Sequence, residues 1–410
     1  MATRSYVVAA PWARIATADR LMNQPVSMNS LAPLTGESVA DVPSTAIALP
    51  DELDLLPVDG LPRWFGRRLA SLFMRFVSME ENSPSRLSTM LTPVAGYFRR
   101  DRHVHPRVDA ESYRLEVTGV AGDQVFDLAA LRELPFEDRV CVQECAGNGN
   151  HVMGSAGLCG QARWSGPSLA TILERCGGVG DATHFAFHGL DRVPLLKRGY
   201  HYGLSLEELV EARAIIALEM NGEPLSRRHG FPARLVVPKV YSMSHVKWIG
   251  KIEGRTSPHD GIHNRFVFTN KELRGGRWVR VQARWIGLKS AINHCRRDRD
   301  AWVLTGCAWG GGAPITRVEV TTDGGATWED AEVVRPDQHF ERDPGLGAED
   351  MHGAWALFTH RWRPHTGEYL IASRVTNADG VVQRMEHDPK VRGHFNVTKV
   401  KWRRVQVPGL

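Results

Sequence analysis

The chain has 410 residues, 42% of them hydrophobic and 24% charged, with a net charge of +5 at pH 7 and six cysteines. This is the composition of an ordinary soluble globular protein with room for two domains, and it excludes a disulfide scaffold and a disordered chain. The mild, dispersed positive charge suits an anionic ligand; with no base-reading helix or zinc-finger spacing it speaks against nucleic acid, and no apolar run reaches the ~18 residues of a membrane span.

Residues 1 to about 55 are rich in Ala, Ser, Pro, Thr and Asn with little periodicity, and read as an extended arm. Leu69, Leu72, Phe73, Phe76 and Val77 then fall at helical spacing near Arg67, Arg68 and Arg75. Such a basic amphipathic helix either packs on its own domain, the reading we favour, or binds a membrane surface or an acidic partner. No clear secretory signal or twin arginine precedes it, and the cysteines form no C-x-x-C pair. Both observations favour a reducing, cytoplasmic setting, with a periplasmic one open if the start is mis-assigned.

Tyr113 to Val117 alternates as a strand and ends at Gly119. Val140-Cys141-Val142 reads as a strand that delivers Cys145 into a tight Ala146-Gly147-Asn148 turn. A thiol placed there is a soft metal ligand, a nucleophile or a small buried hydrophobe. Ser168 to Cys176 predicts a helix closed by Gly177-Gly178, and Leu204 to Ile216 a second one capped by Ser205. Arg234 to Val237 predicts a buried strand ended by Pro238. No regular strand–helix alternation and no dinucleotide fingerprint occur, so this part reads as α+β. From about Trp285 short alternating runs take over: 302–304, 315–320, 356–361 and 370–375, punctuated by Asp323-Gly324-Gly325 and Asp379-Gly380. They predict an antiparallel β-sandwich.

The segments Glu144-Cys145-Ala146-Gly147-Asn148, Arg163-Trp164-Ser165-Gly166, Asn221-Gly222-Glu223-Pro224-Leu225, His229-Gly230-Phe231-Pro232 and His245-Val246-Lys247-Trp248 occur in one order. Together they resemble the sulfite oxidase family of molybdopterin-dependent oxidoreductases, including its sulfur dehydrogenase branch. The resemblance implies an arm over 1–94, a mixed molybdopterin-binding catalytic domain over 95–275, and an immunoglobulin-like dimerisation domain over 276–410. It implies Mo-molybdopterin as cofactor, Cys145 as metal ligand and catalytic thiolate, and a homodimer. Cofactor contacts are expected from Asp101, Arg102, Asp191, His229, Arg234, His245, Val246 and Lys247, with backbone groups serving at His245 and Val246. Arg100 is expected beside both cofactor and substrate. Asp191 has a second reading as a turn-capping carboxylate, and Phe98 to Arg102 one as a solvated charged run.

Departures from the family pattern bear on the substrate. Asp101 and Arg102 replace an Asn and a His. Asn150 stands where typical sulfite oxidases have an arginine facing the substrate, with His151 beside it, and residues 251–285 contain no tyrosine, Phe268 lying near the expected place. The expected function is oxidation of a small sulfur oxyanion by oxygen-atom transfer, with electrons passed to a separate acceptor such as a cytochrome c, since no haem segment is evident. The alternative is a cofactor-binding subunit or scaffold without independent sulfite oxidase activity.

Overall fold

A computed structural model of the chain describes residues 51–57, 79–80, 82, 87–149, 157–192 and 199–408. All of these lie in one compact unit, Ala48–Leu410. The helix expected over 64–77, Asn150 and His151 fall outside the described residues.

The first body is built on a five-stranded mixed sheet. Its strands run Gln124–Asp127, Arg114–Thr118, Ile249–Arg255, His184–Gly189 and His201–Ser205 in spatial order. Only the pairing of Arg114–Thr118 with Ile249–Arg255 is parallel. The alternation expected around Tyr113 is present: Leu115 and Val117 are fully buried while Arg114 and Glu116 face solvent. Gly119 ends that strand at φ +70°, and a Cβ there would sit 2.3 Å from the carbonyl oxygen of Gly254. Gly254 is equally crowded, its Cβ position lying 2.2 Å from Gly119 O. Gly254→Ala should therefore force the two strands apart and cost about 2–3 kcal/mol, read as a lower urea midpoint at unchanged slope.

A second, antiparallel sheet carries the long hairpin Phe136–Glu144 and Cys159–Pro167, extended by the short strands Glu219–Met220 and Glu223–Pro224. Helix Leu169–Arg175 follows as expected, with Ser168 Oγ accepting the Thr171 N–H and Leu169, Ile172 and Leu173 buried. The second expected helix is shorter than the sequence suggested. Leu204 belongs to a strand, the helix covers only Leu206–Glu211 behind a Ser205–Glu208 capping box, and Ile215–Ala217 is a strand paired with Arg234–Val236. The continuous apolar run 214–218 fits a buried strand as well as a helix face, and the available partner edge decides between them.

The C-terminal body is the expected antiparallel sandwich. A four-stranded sheet (Lys289–Asp298, Ala301–Trp309, Ala356–Trp362, Glu332–Val334) faces a five-stranded one built around Gly367–Asn377 and Ile315–Thr321. Leu304, Val318, Phe358, Ile371, Val375 and Val405 fill the space between. Leu56–Pro57 adds an edge strand to the second sheet, paired with Arg403–Arg404. A separate hairpin, Thr269–Arg274 and Arg277–Gln282, turns at Gly275-Gly276 between the two bodies in sequence. Ile286, Trp309, Trp355 and Leu357 continue the first body's apolar core into the sandwich, so the two bodies are packed together.

A cationic cavity with a thiol in its wall

The strand Phe136–Glu144 ends where the backbone turns: Cys145 N–H donates to Leu158 O at 2.9 Å, and Asn148 N–H to Cys145 O at 2.8 Å. The Asn148 side chain closes the turn by accepting the Leu158 N–H at 3.1 Å. This leaves the half-buried Cys145 side chain in the wall of a cavity of ≈ 160 Å³. That is room for a ligand of many atoms, since one ordered water needs about 10–15 Å³.

Among the described residues, Arg99, Arg100, Arg102, Arg234 and Lys247 line the cavity with two carboxylates, Asp101 and Asp191, so its field favours an anion. Burial raises the Cys145 pKa; a Gly147 N–H and the Arg100 guanidinium hydrogen-bonded to the sulfur pull the other way. The thiol thus stays protonated until a metal or another cation takes the proton's place.

Arg234 is 4% exposed, and burial lowers its pKa to about 10. Its terminal nitrogens donate to the carbonyls of His229 and His245 at 3.0 and 3.3 Å, and its guanidinium lies 4.7 Å from the Trp164 ring centroid. Its Nε has no partner. Burial first, then Arg234 and Lys247, push His229 down to about 3, so it offers a neutral ring to the cavity. His245 is likewise lowered to about 3 by burial and Arg234. Its ring nitrogens turn inward to Gln143 at 2.8 Å and Val240 O at 3.2 Å. Lys247 ion-pairs with Asp101 and donates to Arg228 O at 3.2 Å. Burial lowers its pKa to about 8, with Asp101 opposing. Burial works to raise the Asp101 pKa, but Lys247 and His105 outweigh it and hold it below the usual range.

Most of the expected site residues meet here: Arg100, Asp101, Arg102, Cys145, Asp191, His229, Arg234, His245 and Lys247 all line the cavity. Val246 does not. It is fully buried in the apolar core, and its N–H and C=O are engaged by Ser244 O and Leu235 N. Asp191 also acts as a turn carboxylate, accepting the Tyr200 N–H at 3.0 Å and pairing with His103 at 2.8 Å. Phe268 is in the wall, with the Arg102 guanidinium 5.9 Å from its centroid. Sequence reasoning missed Tyr97, Gln143, Tyr200, Trp248 and Phe395 in the wall. Tyr200 is a phenol at the cavity although none exists in 251–285. Its hydroxyl donates to Met243 O at 2.7 Å, and burial raises its pKa well above the ordinary value, so it serves as a fixed wall rather than an acid.

The donor set fits a metal held by a polar organic cofactor. One thiol lines the cavity beside a buried guanidinium that no carboxylate among the described residues pairs with, a charge that an anionic group would offset.

Comparison with known proteins agrees. Residues 102–263 match the oxidoreductase molybdopterin binding domain, and residues 289–408 the Mo-co oxidoreductase dimerisation domain. Sulfite oxidase of Gallus gallus is 30% identical over 326 residues, covering 71% of this chain and 69% of that protein. Mitochondrial sulfite oxidase of Rattus norvegicus is 30% identical over 285 residues, covering 61% of this chain and 50% of the relative, so the chain spans about half the length of such mammalian relatives. In fold it is similar to the sulfane dehydrogenase SoxCD from Paracoccus pantotrophus, with a TM-score of 0.70 at 20% identity over 93% of this chain and 96% of that one. The chain belongs to the sulfite oxidase family of molybdopterin-dependent oxidoreductases, and its cofactor is of the Mo-molybdopterin type. Among the described residues, no helix is long and apolar enough to cross a membrane.

Proposed function

We propose that this protein oxidises a small sulfur oxyanion, sulfite or a related compound, and passes the electrons to a separate acceptor such as a cytochrome c. The observation that carries this reading is the Cys145 thiol in the wall of a cavity where, among the described residues, five cations face two carboxylates. The cofactor supplies the two-electron redox centre and the site of oxygen-atom transfer. Cys145 would hold the metal. Arg234 would hold the cofactor's phosphate with a planar fork, Lys247 with a point charge, and neutral His229 and Asp191 would meet its polar edges. Asp101 keeps Lys247 in place by their ion pair. Arg100 is hydrogen-bonded to the sulfur, and Arg102 lies over Phe268. These two guanidiniums would orient the anionic substrate against the metal ligand.

We also propose the arm, catalytic and sandwich division at 1–94, 95–275 and 276–410, and a homodimer formed through the sandwich; the dimerisation-domain match at 289–408 supports both. The scaffold reading draws on Asn150 and the phenol missing from 251–285, but the cavity, thiol and buried arginine favour an enzyme. The test is molybdenum content by elemental mass spectrometry after expression in a host that makes the cofactor, followed by assays with sulfite, thiosulfate and carrier-bound sulfur. About one molybdenum per chain with turnover on one of these supports the proposal; a folded, metal-free and inactive protein refutes it.

Lys247 gives the site a pH limit. Its pKa near 8 means its charge is present below that pH and lost above it. In cofactor-free protein, the share of sulfate stabilisation that Lys247 supplies should therefore fade as the pH rises through about 8, while the arginines keep theirs, read from melting temperatures with and without sulfate. The fold shifts the other way. A lysine pKa below its unfolded value makes the unfolded chain bind more protons between pH 8 and ~10.5, so this group's contribution to stability rises over that window.

A further inference from the structure

The turn that carries Cys145 is held on both sides of the cysteine by the C-terminal sandwich. Glu144, the residue before the cysteine, is fully buried, and both its carboxylate oxygens are taken. Lys289 Nζ donates to Oε1 at 2.8 Å, Asn148 Nδ2 to the same oxygen at 3.0 Å, and Trp309 Nε1 to Oε2 at 2.9 Å. Lys289 and Trp309 are direct partners in the register of strands Lys289–Asp298 and Ala301–Trp309. One end of one hairpin thus presents both donors to one carboxylate. Lys289 Nζ also donates to Tyr241 Oη at 2.8 Å, and Tyr241 Oη to Asn396 Oδ1 at 2.7 Å. On the far side of the cysteine, Asn396 N–H donates to Ala146 O at 2.9 Å, and Lys401 Nζ to Gly149 O.

We infer that Lys289, acting through Glu144 with Trp309 beside it, is a positioning residue for Cys145, so that the sandwich sets the direction in which the thiol meets the cavity. The physical reason is that a backbone turn of four residues has little stiffness of its own. A buried carboxylate with every oxygen bonded from a rigid sheet edge fixes the residue next to it. The sandwich then has a task inside the site of its own chain in addition to any contact with a second copy. The inference rests on the reading of Cys145 as the metal ligand.

The test uses the full chain purified without cofactor and measures the rate at which iodoacetamide alkylates Cys145, by peptide mass spectrometry. The five other cysteines are buried and serve as internal references. Lys289→Met alone leaves a buried carboxylate without its cation and destabilises the fold; Glu144→Gln/Lys289→Met removes both charges and keeps the volume. Arg374→Met is the control. It breaks a bidentate pair with Glu319 in the same sandwich, at 2.8 Å on both arms and away from the loop. The double variant is expected to alkylate Cys145 on the order of tenfold faster, the factor that a lost charge-assisted hydrogen bond gives a local opening equilibrium, while Arg374→Met stays at the wild-type rate. Equal rates in the folded double variant, the control and the wild type overturn the inference. In cofactor-loaded protein the paramagnetic resonance signal of the molybdenum should shift in the double variant and not in the control; an unshifted signal also overturns it. Cys145→Ser run beside them separates the two readings. A wild-type molybdenum signal there removes Cys145 as ligand, while the alkylation rates still decide whether Lys289 holds the loop.

Discussion

Cys145→Ser is expected to lower substrate oxidation by more than about 100-fold while leaving the fold intact. Residues that merely orient a metal ligand typically cost 10–100-fold when changed, and the ligand itself should cost more. Serine matches the thiol in volume, and Cys145 is half-buried, so no cavity forms. A hydroxyl is a harder and far less acidic ligand than a thiol, so it neither gives up its proton nor donates charge to the metal as sulfur does. Molybdenum content should persist, because the cofactor brings further ligands and the cationic cavity is unchanged. The measurement is turnover beside molybdenum content and melting temperature. A variant with full metal, full stability and wild-type turnover would remove Cys145 from the chemistry and return the buried-hydrophobe reading to the front.

Arg234→Met separates binding from folding more sharply. Arg234 is a buried cation whose neighbours in the protein are carbonyls and a tryptophan face rather than a carboxylate, and its Nε is unpartnered. Burial lowers its pKa to about 10, the direction expected for a cation held out of water. Methionine fills a similar shape without the charge, so the cofactor-free protein should be as stable as wild type or more stable. Cofactor retention should fall, because one charge-assisted contact to an anionic group is worth about 2 kcal/mol, roughly 30-fold in affinity. Molybdenum per chain after dialysis, set against thermal melts of both forms, checks this. Equal molybdenum retention in variant and wild type would exclude Arg234 from the cofactor's anionic group.

The local features of this protein were readable from its sequence because they are set by neighbours in the chain. Ser205 caps a helix as expected, and Ser168 does the same at the start of the helix expected from that residue, since the cap bond spans three residues. Alternation fixed the strands of the sandwich, and a strand followed by Ala-Gly-Asn placed Cys145 at a turn. The order of the motifs was enough for the family and therefore for the cofactor. What the sequence could not show is which distant groups meet. Asp101 finds Lys247 146 residues away, and Glu144 finds Lys289 across 145 residues. Tyr200 brings to the cavity a phenol that no residue between 251 and 285 supplies. Val246 sits inside a site motif yet is consumed by the core, and Ile215–Ala217 became a strand only because Arg234–Val236 offered an edge. Hydrophobic period and capping are short-range and leave a local trace in the chain. Ion pairs, shared cavity walls and strand partners depend on how separate segments pack, so only the tertiary structure decided them.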